Sequence, residues 1–189
     1  GRPVGAMPEG IEGISIDSRA VQPGDVFFAI KGDRVDGHAF ASTAVANGAT
    51  VLVVSESKLP AMGHLHAAMI VVDDVLEAMI RLGVAARART KAQIIAVTGS
   101  VGKTTTKEML RHVLSGQGRV HASVASFNNH WGVPLSLARM PRDADYGIFE
   151  IGMNHADEIR PLVKMVRPHI AIITAIADAH LGHFKNLGE

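Results

Sequence analysis

The stretch VTGSVGKTTTKEML, residues 97–110, sets two glycines and a lysine directly ahead of three threonines and a helical pattern. A glycine turn between a strand and a helix aims backbone N–H groups and the positive helix end at phosphate oxygens. The common spacing is G-x-x-x-x-G-K-[ST], and counting back five places from Gly102 reaches Val97, so the loop here is the shorter G-x-x-G-K-T. On this reading the backbone of Thr98, Gly99, Ser100, Val101, Gly102, Lys103 and Thr104 cradles nucleotide phosphates, with Thr105 continuing the helix start. Lys103 neutralises the β and γ charges, and the Thr104 hydroxyl reaches a magnesium ion. The plainer alternative is a glycine-containing helix start with a solvated lysine.

Two further residues fall where such chemistry needs them. In a parallel α/β sheet the strands end on one edge, and ligands collect there. Glu150 closes the apolar run YGIFE, and His180 lies just past the next one. A buried strand ending in a carboxylate needs a partner for the charge. Magnesium is one, since it takes oxygen ligands; a neighbouring arginine or lysine is the other. An imidazole suits magnesium less well, so on its chemistry alone His180, one of ten histidines, reads equally as an ordinary histidine.

Short runs rich in Val, Ile and Phe alternate with helical patterns, which predicts an α/β fold. Strands are expected at 26–30, 50–54, 69–72, 94–97, 146–151 and 169–176. A helix over 38–49 closes at Gly48, and another follows Asp73 and Asp74, which offer a cap. A helix from about Lys103 to Leu114 carries Met109, Leu110, Val113 and Leu114 on its apolar face, and one more is expected over 157–166. The polar TKAQ at 90–93 marks a boundary. This gives a small N-terminal α/β domain, 1–91, followed by a P-loop-type parallel-sheet domain, 92–189.

The 189 residues are 47% hydrophobic and 20% charged, a globular composition, and the formal net charge of +1 provides no field to gather nucleic acid or an anionic membrane. The longest apolar run, IAIITAIA from Ile170 to Ala177, falls far short of the roughly 20 residues a membrane helix needs. The absence of cysteine fits a reducing compartment. A cytoplasmic monomer with small-molecule partners is the expectation. The abrupt start at Gly1 and the stop after FKNLGE are those expected of a piece of a longer enzyme, inert when alone.

The blocks DSRAVQPGDVFFAIKGDRVDGHAF, VTGSVGKTTTKEML, SFNNHWGVPLSL, EIGMNHADEI and AHLGHF, in this order, resemble the Mur ligases of bacterial peptidoglycan synthesis. That family carries the shortened loop T-G-x-x-G-K-[ST]. NNHWGVP and EIGMNHADEI are similar to the member that adds D-Ala-D-Ala; the member adding the third peptide residue usually has Ser-Ser-His after the corresponding glutamate. The resemblance implies an ATP- and magnesium-dependent ligase of cell wall biogenesis, serving cell shape and division, with UDP-N-acetylmuramoyl-tripeptide and D-alanyl-D-alanine as substrates.

It also implies roles. Thr104 and Glu150 match magnesium ligands, and His180 matches the histidine of a second magnesium site. Asn128 and Asn129 match an asparagine pair beside the nucleotide and the acceptor phosphate, Asn129 on the catalytic side. Asp17, Ser18 and Arg19, with Lys31, Gly32, Asp36 and His38, match segments that bind the UDP-sugar. The chain departs from many relatives at Gly182, where they carry glutamate, and at Ala175, where an asparagine commonly follows the threonine. The family's carbamylated lysine and D-Ala-D-Ala pocket belong to positions after Glu189. Three other readings are the related Mur ligase that adds the third peptide residue, an unrelated P-loop kinase and a UDP-sugar-binding module without chemistry.

Overall fold

The structure, a computed structural model, describes residues 1–124, 127–155 and 157–177. It divides into two compact units, Gly1–Arg81 and Leu82–Glu189.

In the first unit β1 (Arg2–Val4), β2 (Gly13–Ser15) and β3 (Asp25–Phe28) precede a 3-10 turn and α1 (Ala41–Ala46), then β4 (Val51–Ser55), α2 (Leu59–Met62) and β5 (Ala68–Val72). The sheet order is β1-β5-β4-β3-β2, parallel except for β1, which runs antiparallel to β5. β3 is buried on both faces, as parallel strands covered by helices are. Phe27, Leu52, Val54, Met69 and Val71 build the core with Ala41 and Ala44 of α1. The expected 38–49 helix is shorter, because Asp36 caps a 3-10 turn over Gly37–Phe40 before α1 begins. Gly48 closes it as expected, at a φ of 106°.

α3 (Val75–Arg89) crosses the division between the units. Asp74 caps it, accepting from the Glu77 N–H at 2.8 Å. The compact units thus part after Arg81, ten residues ahead of the boundary expected after residue 91. The cause is the second half of α3. Arg87, buried, donates from Nε to Val166 O and from Nη2 to Arg167 O, each at 2.7 Å, satisfying carbonyls at a helix end in the second unit.

The second unit continues with β6 (Gln93–Thr98), α4 (Lys103–Leu114), β7 (Val120–Ala122), α5 (Gly132–Ala138), β8 (Tyr146–Glu150), α6 (Ile159–Val166) and β9 (Ile170–Ile173). Its sheet is parallel throughout, in the order β7-β8-β6-β9. One face packs Ile94, Ala96 and Phe149 on α5 and α6; the other packs Ile95, Val97 and Ile148 on Leu110 and Leu114 of α4. The apolar face expected for α4 is half right. Met109 and Val113 are 64% and 61% exposed, and Lys107 is buried in their place. β9 stops at Ile173, short of the expected 176, because Thr174 and Ala175 turn their backbone toward the loop after β6.

Candidate active site

β6 lies between β8 and β9, with Val97 opposite Glu150 and Thr98 opposite Ile173. The loop leaving β6 is therefore flanked by both neighbouring strand ends. Gly99 and Gly102 take φ values of 131° and 81°, where a side chain is strained. A Cβ on Gly99 would also stand 2.9 Å from Ala175 O. From the β9 side, Thr174 Oγ1 donates to Val101 O at 2.5 Å, and the Ser100 N–H donates to Ala175 O at 2.8 Å. Ser100 Oγ donates to Ala177 O and accepts from the Ala177 N–H, at 3.0 and 3.1 Å. The loop is thus held open by its neighbour strand rather than collapsed on itself.

Gly102 ends the loop and α4 starts at Lys103. Lys103 Nζ donates back to Gly99 O at 2.6 Å, which folds the ammonium over the loop. On the β8 side Glu150 is only 1% exposed. Its Oε2 accepts from Thr104 Oγ1 and its Oε1 from Asn128 Nδ2, both at 2.8 Å. Both donors are neutral, and no salt bridge reaches Glu150 among the described residues. Asn128 is itself fixed by the Gly152 N–H, which donates to its carbonyl at 2.9 Å. Gly152 has no room for a Cβ, which would meet the Asn128 amide at 2.8 Å.

A cleft of about 320 Å³ brings these groups together: the loop from Ser100 to Thr105, Asn128, Asn129 and Glu150 line it. Gly152, Met153, Asn154 and Glu158 complete the wall. Among these, Asn154 donates its N–H to Glu158 Oε2 at 2.7 Å, and this hydrogen bond holds the Glu158 carboxyl below its ordinary range. Asn129 points into its own turn, accepting at Oδ1 from the Trp131 and Gly132 N–H groups at 3.1 and 2.9 Å. His180 and Gly182 lie outside the described residues. Among the described residues no group of three or more His, Cys, Asp and Glu is placed to hold a metal. A metal here would rely on Thr104, Glu150 and phosphate oxygens.

Thr174, Asn154 and Glu158 escaped the sequence reading. Thr174 stands after a parallel strand, as Glu150 stands at the end of one, and the same argument from strand ends finds it. Glu158 carries no such signal.

In the first unit, Asp17–Arg19 follow β2 and Lys31–His38 follow β3, two parallel neighbours, so both segments leave the same sheet edge. Asp17 accepts from the Arg19 backbone N–H at 3.0 Å and holds the guanidinium at 2.7 and 2.9 Å. Ser18 is buried, and its carbonyl accepts from Asn47 Nδ2. Lys31 and Asp36 pair across the base of a loop, inside which the Gly32 N–H donates to Val35 O. His38 sits beneath that loop, its side chain 4% exposed. Nε2 accepts from the Ser55 N–H at 3.0 Å, so the ring proton is on Nδ1, 2.6 Å from Asp36 Oδ1. The ring shapes the loop, and Lys31 remains exposed on it.

A parallel sheet with a glycine loop and Lys-Thr helix start after its central strand defines a P-loop-type nucleotide-binding domain. Sequence profiles agree: the catalytic domain of the Mur ligase family matches residues 10–87, and the Mur ligase middle domain matches residues 97–189. The chain belongs to the Mur ligase family. It is 41% identical over 176 residues to the UDP-N-acetylmuramoyl-tripeptide--D-alanyl-D-alanine ligase of Rickettsia prowazekii, covering 93% of this chain and 38% of that protein. The ligase of that name from Escherichia coli is 36% identical over 177 residues, covering 94% and 38%. Among solved structures, MurF from Acinetobacter baumannii superposes with a TM-score of 0.82 at 39% identity, over 97% of this chain and 40% of that one. MurF ligase from Thermotoga maritima in complex with ADP gives 0.75 at 28% identity, over 93% and 40%. The chain therefore spans about two fifths of the length of these relatives. Among the described residues no helix is long and apolar enough to cross a membrane.

Proposed function

We propose that this chain supplies the UDP-substrate unit and nucleotide unit of an ATP-dependent carboxylate-amine ligase that joins D-alanyl-D-alanine to UDP-N-acetylmuramoyl-tripeptide. The single observation that carries this reading is the convergence of Lys103, Thr104 and the buried Glu150 carboxylate on one cleft beside the glycine loop. Its support at the level of the particular ligase is the likeness to proteins of that name.

In the reaction, a terminal carboxylate oxygen of the tripeptide attacks the γ-phosphorus of ATP, and ADP leaves. The amine of D-alanyl-D-alanine then attacks the acyl carbon, loses a proton and expels phosphate as the amide forms. A carboxylate is a poor acylating agent, and phosphate is a good leaving group. The chain's task is to hold charged groups in line and offset their charge. Loop N–H groups from Thr98 to Thr104 bind phosphate oxygens, and Lys103 turns from Gly99 O to the β and γ oxygens. Asn128 and Asn129 flank the acceptor side.

Thr104 and Glu150 would hold magnesium. Their oxygens suit a hard cation, and a buried carboxylate with neutral donors alone has charge left to offset. Bound there, the ion neutralises phosphate charge. His180 is assigned to a second ion on resemblance alone. In the domain of residues 1–91, Arg19 and Lys31 suit the UDP diphosphate, while Asp17, Ser18, Gly32, Asp36 and His38 shape their loops. Residues 92–189 carry the nucleotide chemistry, in the cytoplasm and as a monomer.

Lys103→Ala in the whole enzyme tests this. Amide formation from the tripeptide, ATP and D-alanyl-D-alanine should fall at least about 10²-fold, since the ammonium meets charge that grows in the transition state. Binding of the UDP-linked tripeptide should persist. Unchanged turnover would overturn the reading.

A further inference from the structure

Lys107 lies one turn beyond Lys103 on α4 and is 0% exposed. An ammonium is almost never withdrawn from water so completely without partners for its protons. Nζ donates to Ser123 O at 2.8 Å and stands 3.2 Å from Glu108 Oε1. Ser123 is buried as well and has two further bonds. Its N–H donates to Ile148 O at 3.0 Å, continuing the β7–β8 ladder one residue past Ala122. Its Oγ accepts the Glu150 backbone N–H at 3.2 Å.

The chain of contacts runs from the buried ammonium to the Ser123 carbonyl, and from the Ser123 hydroxyl to the backbone of Glu150. A methionine would fill the volume of Lys107 without the desolvation that a buried charge carries, so packing alone does not call for lysine here. What the ammonium adds is a fixed grip on the residue that grips Glu150.

We propose, resting on the function given above, that Lys107 and Ser123 are positioning residues of the magnesium-nucleotide centre: they fix the end of β8 so that the Glu150 carboxylate faces Thr104. Residues behind a metal ligand orient it, and their loss typically weakens metal affinity by about 10- to 100-fold.

The test measures binding of a fluorescent ADP analogue to the whole enzyme as Mg²⁺ is titrated, for wild type, Lys107→Met and Ser123→Ala. Thermal unfolding and steady-state kinetics are followed on the same samples. In both variants the Mg²⁺ concentration for half-maximal ADP binding should rise about tenfold or more, kcat should fall, and KM for the UDP-linked tripeptide should stay at the wild-type value. A wild-type Mg²⁺ requirement in Ser123→Ala overturns the proposal, including the case in which Lys107→Met fails to fold. Absence of Mg²⁺-dependent ADP binding in the wild type would instead sink the functional reading, and this inference with it.

Discussion

The hydroxyl of Thr104, in the first turn of α4, donates to Oε2 of Glu150, the last residue of β8, at 2.8 Å. Two elements that are far apart in sequence meet there because β8 pairs with β6, the strand that feeds the glycine loop. The contact ties the phosphate loop's helix to a buried negative charge. That charge weakens the fold unless something positive offsets it.

Glu150→Gln separates the two consequences. Glutamine keeps the size and an acceptor for Thr104 while removing the charge. Activity of the whole enzyme should drop by at least about 10²-fold if the carboxylate serves the phosphate chemistry. The melting temperature without nucleotide should hold or rise, because a buried charge has been removed and the Asn128 amide, which now donates to Oε1, can turn its oxygen to accept from the glutamine NH2. A lower melting temperature with activity preserved would make Glu150 a structural residue.

A pH dependence follows from the first unit. Partial burial alone would raise the Asp36 carboxyl, but hydrogen bonds from His38 and Lys58 outweigh it and hold Asp36 well below the ordinary carboxylate range. A carboxyl depressed in the folded state stabilises the fold in full above its unfolded value of about 3.9 and loses that contribution as pH falls through the lower folded value. Urea midpoints of the wild type should therefore fall steadily from about pH 5 downward. Asp36→Asn should be less stable at neutral pH, and its difference from wild type should shrink as the solution is acidified. A difference independent of pH would show that the Asp36 charge is not what holds the loop.

Much of the second unit was legible from sequence because each signal there is local. The glycine spacing, the Lys-Thr pair and the strand ending in Glu150 are read within about a dozen residues, and α4 begins and ends where the pattern put it. What was missed depends on pairing. β1, β2 and β7 are three residues each and have no periodicity to read; neighbouring strands define them. Met109 and Val113 looked buried, and Lys107, which the pattern did not single out, is buried instead. The helix turns the other way because Leu110 and Leu114 meet Ile95, Val97 and Ile148. In the first unit the loop around His38 is legible as a segment, but the contact that holds its ring comes from Ser55, seventeen residues away.

Asn129 offers the sharpest separation of structure from chemistry. Its Oδ1 accepts two N–H groups at the entry to α5, a helix whose seven residues are all buried. Losing such a cap typically costs about 1 kcal/mol, so Asn129→Ala should lower stability by that amount in denaturant unfolding. Asn129→Asp keeps the cap, since a carboxylate accepts the same two bonds, but replaces the amide donor with negative charge. If Asn129 also donates to the acceptor phosphate, Asn129→Asp should retain wild-type stability and lose about tenfold or more in kcat, as expected when a charged hydrogen bond becomes a repulsion. If kcat survives in Asn129→Asp, Asn129 belongs to the scaffold of α5, and the phosphate contact must come from Asn128 and the loop.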